Sequence, residues 1–379
     1  MIRKAVAKTG LQERGSASFR PALEKFVSEY NRSSTVTSEG DTTNEHYVLE
    51  ALGARFAIEE WIVRHPEVLE KEVERPLFIL GLPRAGTTVL LNLLRHDPAR
   101  RVYWHWEGHR EVPPARACHF QDDPRVARRT AEVEAGIASG AIDLRHHVEM
   151  GDEPTECFWA LGQDFKSYIW MTRTQVPDYF HWLLRDADME AAYRHHKHAL
   201  QVMQSQAPGR WTLKFPTHAV AIDALLRVYP DARIIVTHRD PSKPVGSSCS
   251  SVRHVLALNN HSVDMNYLGY ETATLQSESV KRVAAARGAH PEVPFYDFHY
   301  HRFIIDPIAE VQRIYNFLGE TLTASAEAAM HDELVRQEQR RKIAGEHRYR
   351  LEDYGLSHAS LDAMFGDYMD RYGIARERD

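Results

Sequence analysis

Residues 77–94 read LFILGLPRAGTTVLLNLL, and few folds accommodate such a run. Leu77 to Leu80 is wholly apolar, the pattern of a strand buried on both faces. Gly81 to Thr88 holds two glycines and reads as a turn; Val89 to Leu94 is apolar again and starts a helix. Strand, glycine loop and helix in this order leave backbone N–H groups at the helix N-terminus aimed at an anion. Taken alone, the loop also fits an ordinary β–α turn rich in Gly and Thr.

Spacing narrows the ligand. A nucleoside triphosphatase loop reads G-x-x-x-x-G-K-[ST], with the Lys on the β- and γ-phosphates and the hydroxyl on Mg²⁺. Gly81 and Gly86 keep the glycine spacing, but Thr87 stands where that Lys belongs, and Arg84 is the loop's only cation. A loop of this kind suits a nucleotide with a different leaving chemistry.

The chain has 379 residues, enough for one large domain or two. A net charge of -6 argues against a general nucleic-acid binder while leaving room for a local basic pocket. Cys118, Cys157 and Cys249 have no metal or redox spacing, so a reducing compartment, the cytoplasm, is the expectation. The N-terminus lacks the apolar core of a secretory signal, and no run reaches the ~18 apolar residues of a membrane span.

In chain order, Phe19 to Tyr30 has helical spacing, Ser33 to Thr43 reads as a loop, and His46 to Lys71 as one long helix or two. These pack as a helical layer. Residues 96–115 place Tyr103, Trp104 and Trp106 beside Glu107. A carboxylate among aromatic rings is a candidate base through a raised pKa, or else a solvated Glu in a surface cluster. Residues 122–140 read as an exposed helix. His146 to Trp159 gathers His146, His147, Glu149, Asp152, Glu153 and Glu156, but in no recognised metal-ligand pattern. A helix starting after Pro154, with acids in its first turn, accounts for much of that run. From Phe165 to Met203 an aromatic-rich helical pattern fits either core or the wall of an apolar acceptor pocket.

A second β–α–β unit follows. Trp211 to Phe215 and Ala232 to Thr237 are strands, with a helical segment from His218 to Tyr229 between them. Open parallel sheets bind ligands beyond the carboxyl ends of their strands. Lys214, His218 and Arg239 lie there, and Ser247, Ser248, Ser250 and Ser251 offer hydroxyls just downstream. A structural ion pair is the other reading of Lys214. Val293 to Phe298 is the last strand, Asp306 to Leu318 an amphipathic helix, and Arg336 to Arg350 a basic stretch. That stretch is a solvated face or a loop closing on an anion. Short capped helices form the tail.

Four stretches together, FILGLPRAGTT, the WE…VPP segment, LKFPTHAVAIDALLRVYPDARIIVTHRDP and GEHRYRLEDYGL, resemble the bacterial sulfotransferase family that uses 3′-phosphoadenylyl sulfate. The resemblance covers roughly residues 75–355. It implies a single α/β domain with a P-loop-type core: a central parallel sheet flanked by helices. Residues 1–74 would be an N-terminal helical layer, and 75–320 the core with a helical insertion at about 120–205. Residues 321–379 would carry the basic closing loop and C-terminal helices. It further implies transfer of a sulfuryl group to a hydroxyl or amine of a small-molecule, lipid or glycan acceptor. The product would be 3′,5′-adenosine bisphosphate, with no metal required. Pro83, Arg84, Ala85, Gly86, Thr87 and Thr88 resemble the family's 5′-phosphosulfate loop. Arg239 and Ser247 resemble its 3′-phosphate site, and the segment around Gly345, His347 and Arg348 its late closing loop. Arg84 and Lys214 would stabilise charge on the transferring group, with Glu107 or His218 as base and Glu107 favoured. A nucleotide kinase on the same fold and a non-catalytic nucleotide-binding protein are the alternatives, and the oligomeric state stays open, a homodimer included.

Overall fold

The structure, a computed structural model, describes the chain except residues 121, 146, 147, 346, 378 and 379. Helices α1 (Ile2–Thr9), α2 (Arg20–Tyr30) and α3 (Ser38–Arg64) precede the first strand. Helix α3 begins inside the expected loop, because the Thr37 hydroxyl accepts from Gly40 N–H at 2.9 Å and Glu39 and Asp41 lie in its first turn.

The apolar run at 77 becomes β1 (Leu77–Gly81), buried at every position, and leads through the glycine loop into α4 (Thr87–Leu94). Then come β2 (Arg100–Val102), α5 (Pro124–Ala138), α6 (Phe158–Gln163), α7 (Pro177–Arg185), α8 (Met189–Gln204) and β3 (Arg210–Lys214). The remainder is α9 (Ile222–Val228), β4 (Arg233–His238), α10 (Ser242–Asn259), α11 (Met265–Ala289), β5 (Phe295–His299), α12 (Tyr300–Ile305), α13 (Pro307–Leu318), α14 (Ala324–Ala344) and α15 (His358–Tyr372). The five strands pair in parallel in the order β2-β3-β1-β4-β5. This is the P-loop-type α/β core that the resemblance implies.

Alternation along β1 builds two cores. Phe78 and Leu80 pack with Leu200, Met203 and Leu225 of α8 and α9, whereas Leu77 and Ile79 pack with Leu90, Leu94, Val311 and Ile314 of α4 and α13. Burying each such side chain is worth about 1.5–3 kcal/mol. Leu82 and Ala85 of the loop are clamped against Val245, Cys249 and Leu268 on α10 and α11. Among the described residues no helix is long and apolar enough to cross a membrane.

The expected helix start at Pro154 is corrected. The helix begins at Phe158, with no acid in its first turn. Pro154 bridges instead to Trp104, and Cys157 N–H donates to the Lys214 carbonyl at 3.0 Å, so Glu156 is carried to the end of β3.

The helical layer is tied down by a buried ionic cluster. Asp164 accepts from Arg55 at 2.8 Å and from Lys166 at 2.7 Å, all three side chains being 2% exposed or less. Asp164→Ala strands the buried Lys166 and leaves Arg55 with Glu59, at 3.0 Å, as its carboxylate, and is expected to cost about 3–5 kcal/mol in denaturant unfolding. A loss below about 1 kcal/mol, the scale of an exposed pair, would mean that water reaches the cluster.

Candidate active site

Sharp backbone turns aim the loop. Gly86 caps α4 at φ 88°, where an added Cβ would stand 3.1 Å from the Tyr300 ring; Arg84 is held at φ 60°. Arg84 Nε donates to Ser247 Oγ at 3.1 Å, and Arg239 Nη1 donates to the Arg84 carbonyl at 3.0 Å. Arg239 also lies 4.2 Å above the Tyr300 ring. The two predicted phosphate-binding arginines therefore converge at the carboxyl ends of β1 and β4. Burial, and then the charge of Arg239, pushes the Arg84 pKa down. Burial acts on Arg239 in the same sense, but hydrogen bonds and charge from Glu377 outweigh it and raise its pKa. Glu377 grips Arg239 with both oxygens, at 2.9 and 2.7 Å. A carboxylate thus stands where two crowded cations call for an anion.

Around this pair, His347 contacts Ser250 Oγ at 2.8 Å and Ser247 Oγ at 3.4 Å, while Tyr349 OH donates to the Lys243 carbonyl at 3.1 Å. The late basic segment is folded onto α10, with Arg348 exposed between those two anchors.

Lys214 is fully buried at the end of β3. Its ammonium donates to Thr88 Oγ1 at 3.1 Å and to Glu156 Oε1 at 2.6 Å, with Glu149 Oε1 at 3.6 Å. The cation absent from the loop is supplied from a neighbouring strand. Glu149 and Glu156 line a cavity of about 1050 Å³ that reaches Gly81 and Pro83 of the loop. Aromatic and aliphatic groups, among them Phe158, Trp159, Ile169, Trp170 and Phe215, form much of its wall.

Glu107 and His218 are placed differently. Glu107 is 1% exposed and does not line that cavity; its carboxylate bridges to Arg101 and accepts Trp104 N–H at 3.2 Å. Its neighbour is a counter-ion, where the sequence suggested apolar rings. His105, in the same 3₁₀ turn (His105–Glu107), lines the cavity instead. His218 is fully buried behind Phe215, its Nδ1 at 2.8 Å from Tyr193 OH and its Nε2 without a hydrogen-bond partner. Burial, then His196, pushes its pKa well below the usual range, so it stays neutral. The sequence reading did not single out Glu156 or Glu149 as site residues. Their signal was an acidic run, and only the fold turns them toward Lys214.

Among the described residues no cluster of His, Cys, Asp or Glu is arranged to hold a metal. His146 and His147 lie outside the described residues.

A model of the sulfotransferase family matches residues 76–324. The chain belongs to the sulfotransferase family. It is similar in structure to sulfotransferase STF9 from Mycobacterium avium, 36% identical, with a TM-score of 0.92 over 100% of this chain and 97% of that one. Sulfotransferase STF1 from Mycobacterium tuberculosis H37Rv is 29% identical, with a TM-score of 0.85 over 97% of each chain. The omega-hydroxy-beta-dihydromenaquinone-9 sulfotransferase Stf3 of Mycobacterium bovis is 24% identical over 311 residues, 79% of this chain and 76% of that protein. Sulfuryl transfer is the activity of the family, and the cluster at Lys214 is its candidate centre here.

Proposed function

We propose that the chain moves the sulfuryl group of 3′-phosphoadenylyl sulfate onto a hydroxyl of an apolar, lipid-like small molecule held in the cavity. The observation that carries this reading is Lys214, whose ammonium spans the loop hydroxyl of Thr88 and the cavity carboxylate of Glu156. Donor and acceptor sides meet at that one cation.

Arg84, Thr87, Thr88 and the N–H groups of Pro83–Thr88 other than proline would hold the 5′-phosphosulfate. Arg239, Ser247 and the segment carrying Arg348 would hold the 3′-phosphate; Glu377 is a fitting stand-in for that dianion. The acceptor oxygen attacks sulfur in line. The new S–O bond forms as the bond to the bridging phosphate oxygen breaks, and that electron pair leaves with the bisphosphate. Lys214 and Arg84 stabilise charge on the sulfuryl oxygens and the leaving phosphate. Glu156 takes the acceptor proton. The lipid-like acceptor is supported by the aromatic and aliphatic wall, and by the hydroxylated quinone in the name of the Stf3 relative. Leucines beside the aromatic rings, Leu268 and Leu275, favour it over a glycan.

Calorimetric titration with 3′,5′-adenosine bisphosphate, against ATP and 5′-AMP, tests the donor. Selective binding of the bisphosphate is expected, weakened roughly 10- to 100-fold in Arg239→Ala. No preference over ATP would sink the reading and favour a kinase. Because Glu377 competes for Arg239, Glu377→Gln is expected to tighten bisphosphate binding, roughly 2- to 5-fold for a partly exposed pair. Unchanged affinity would mean that the tail does not occupy this site in solution.

A further inference from the structure

Four arginines line the cavity, Arg110, Arg128, Arg129 and Arg173, and the transfer chemistry uses none of them. One carboxylate, Glu132, serves the first three, from Arg110 Nη2 at 2.7 Å, Arg128 Nε at 3.1 Å and Arg129 Nη1 at 3.1 Å. Arg173 pairs with no carboxylate among the described residues; its side chain donates to Thr172 Oγ1 at 3.1 Å and lies 4.3 Å over the Tyr47 ring. The other acids of the wall are engaged elsewhere. Glu50 pairs with Lys8 at 3.0 Å, and Glu149 and Glu156 flank Lys214. Burial pushes the Glu271 pKa up to about 8, so that carboxyl is mostly neutral at neutral pH. Positive charge is therefore in surplus at the arginine end of the cavity.

Tyr47 joins the arginines into one site. Burial and then the charge of Arg110 push the Arg129 pKa down, while Glu132 and the Tyr47 phenol act in the other direction, so Tyr47 adjoins both Arg173 and Arg129. The Tyr47 hydroxyl and the Nε and Nη1 of Arg173 have no hydrogen-bond partner among the described residues. Unlike the sealed Arg129 Nε, all three are open, on half-buried residues that line the cavity. Open donors beside unbalanced positive charge are complementary to an anion. Trp159 ties this end to the transfer centre. Arg129 lies 5.2 Å over its ring, its Nε1 donates to Thr155 Oγ1 at 2.9 Å, and Thr155 engages Glu149 beside Lys214. On the other side Thr43 and His46 of α3, both exposed, place Tyr47 at the rim.

We propose that Arg173, Arg129 and Tyr47 form an anion subsite at the rim of the cavity, which selects an otherwise apolar molecule carrying a carboxylate or phosphate at the end remote from its nucleophilic hydroxyl. The assignment of that molecule as acceptor rests on the sulfuryl-transfer reading above; the anion recognition does not. The apolar body runs along Trp159, with its hydroxyl at Glu156 and its charged end between the two guanidinium groups.

The test is calorimetry on the full chain saturated with 3′,5′-adenosine bisphosphate, so that the nucleotide's own anion sites are filled. ω-Hydroxy fatty acids and ω-hydroxyalkyl phosphates are compared with the neutral methyl esters of the same hydroxy acids, over a series of chain lengths. At the matching length an anion is expected to bind roughly tenfold tighter than the ester, and the anion that does so identifies the charged group. Arg173→Gln should reduce that ratio to about twofold. Tyr47→Phe, which keeps the ring under the guanidinium, should weaken the anion roughly two- to fivefold and leave the ester unchanged. Equal binding of anion and ester at every length, retention of the full preference in Arg173→Gln, or no binding of any of the three overturns the subsite. So does an equal loss of anion and ester in the variants, which is what a merely structural role would give. Should Arg173→Gln fail to fold, Tyr47→Phe decides by the same reading. Since binding is what is read, an anion preference without turnover would overturn the transfer reading and leave this one standing, and turnover of the esters with no anion preference would do the reverse.

Discussion

Lys214→Met is expected to lower kcat by roughly 10²- to 10³-fold, the scale of losing one preorganised charge at a transition state. Its ammonium is buried and reaches the loop hydroxyl of Thr88 at 3.1 Å, where the proposed transfer would develop charge as the sulfuryl group departs. Bisphosphate affinity should change only a few-fold, because on the proposed reading the arginines and the loop N–H groups would hold that ligand. A structural explanation must be separated from this one. Removing the cation leaves Glu156 and Glu149 without their counter-ion, a change that by itself destabilises. The Lys214→Met, Glu156→Gln double variant removes that penalty in part, so it should melt higher than Lys214→Met alone yet turn over no faster, since it also lacks the proposed base. Turnover within a few-fold of wild type in a folded Lys214→Met protein would remove Lys214 from the chemistry.

The strand–loop–helix at 77–94 and the strands at 211 and 232 are legible because burial on both faces demands continuous apolar runs, and the glycine turn punctuates them. That rule alone marks the strand ends, and hence Lys214 and Arg239, as ligand positions. Strand β2 is invisible to the same rule. It is a three-residue edge strand that begins with two arginines, buried only because Arg100 reaches Thr212 and Glu320 and Arg101 reaches Glu107. Those partners are set by tertiary contact, which no local pattern encodes. The same holds for Glu377, whose grip on Arg239 spans 138 residues of chain, and for Glu156, which meets Lys214 across 58. Glu107 was singled out from the rings near it in sequence. Its carboxylate faces Arg101, because side-chain direction in a 3₁₀ turn, which spacing along the sequence does not give, aims it there.

The three carboxylate and imidazole candidates for the base separate when kinetics and stability are measured together. Glu156→Gln is expected to lower kcat and kcat/KM in parallel by roughly 10²- to 10⁴-fold, the usual range for a general base whose contribution is confined to the transition state. Its side chain, 16% exposed on the cavity wall, is also the nearest counter-ion of the fully buried Lys214, so the melting temperature should fall as well, with Glu149 at 3.6 Å left as the remaining counter-ion, and turnover is read on folded protein. Glu107→Gln differs in its kinetics. It breaks an ion pair whose side chains are 3% and 1% exposed, and about 3–5 kcal/mol of stability should go with it. Below its melting transition, however, the variant should turn over close to wild type. His218→Ala opens space among Phe78, Phe215 and Tyr193 and should likewise lower the melting temperature more than kcat. Glu149 lies farther from Lys214 and is engaged by Thr155, so Glu149→Gln should slow turnover less than Glu156→Gln. If Glu156→Gln keeps near-wild-type kcat while folded Glu107→Gln or His218→Ala abolishes it, the proton leaves by a route behind the cavity wall, and the closed wall must open during turnover for that route to exist.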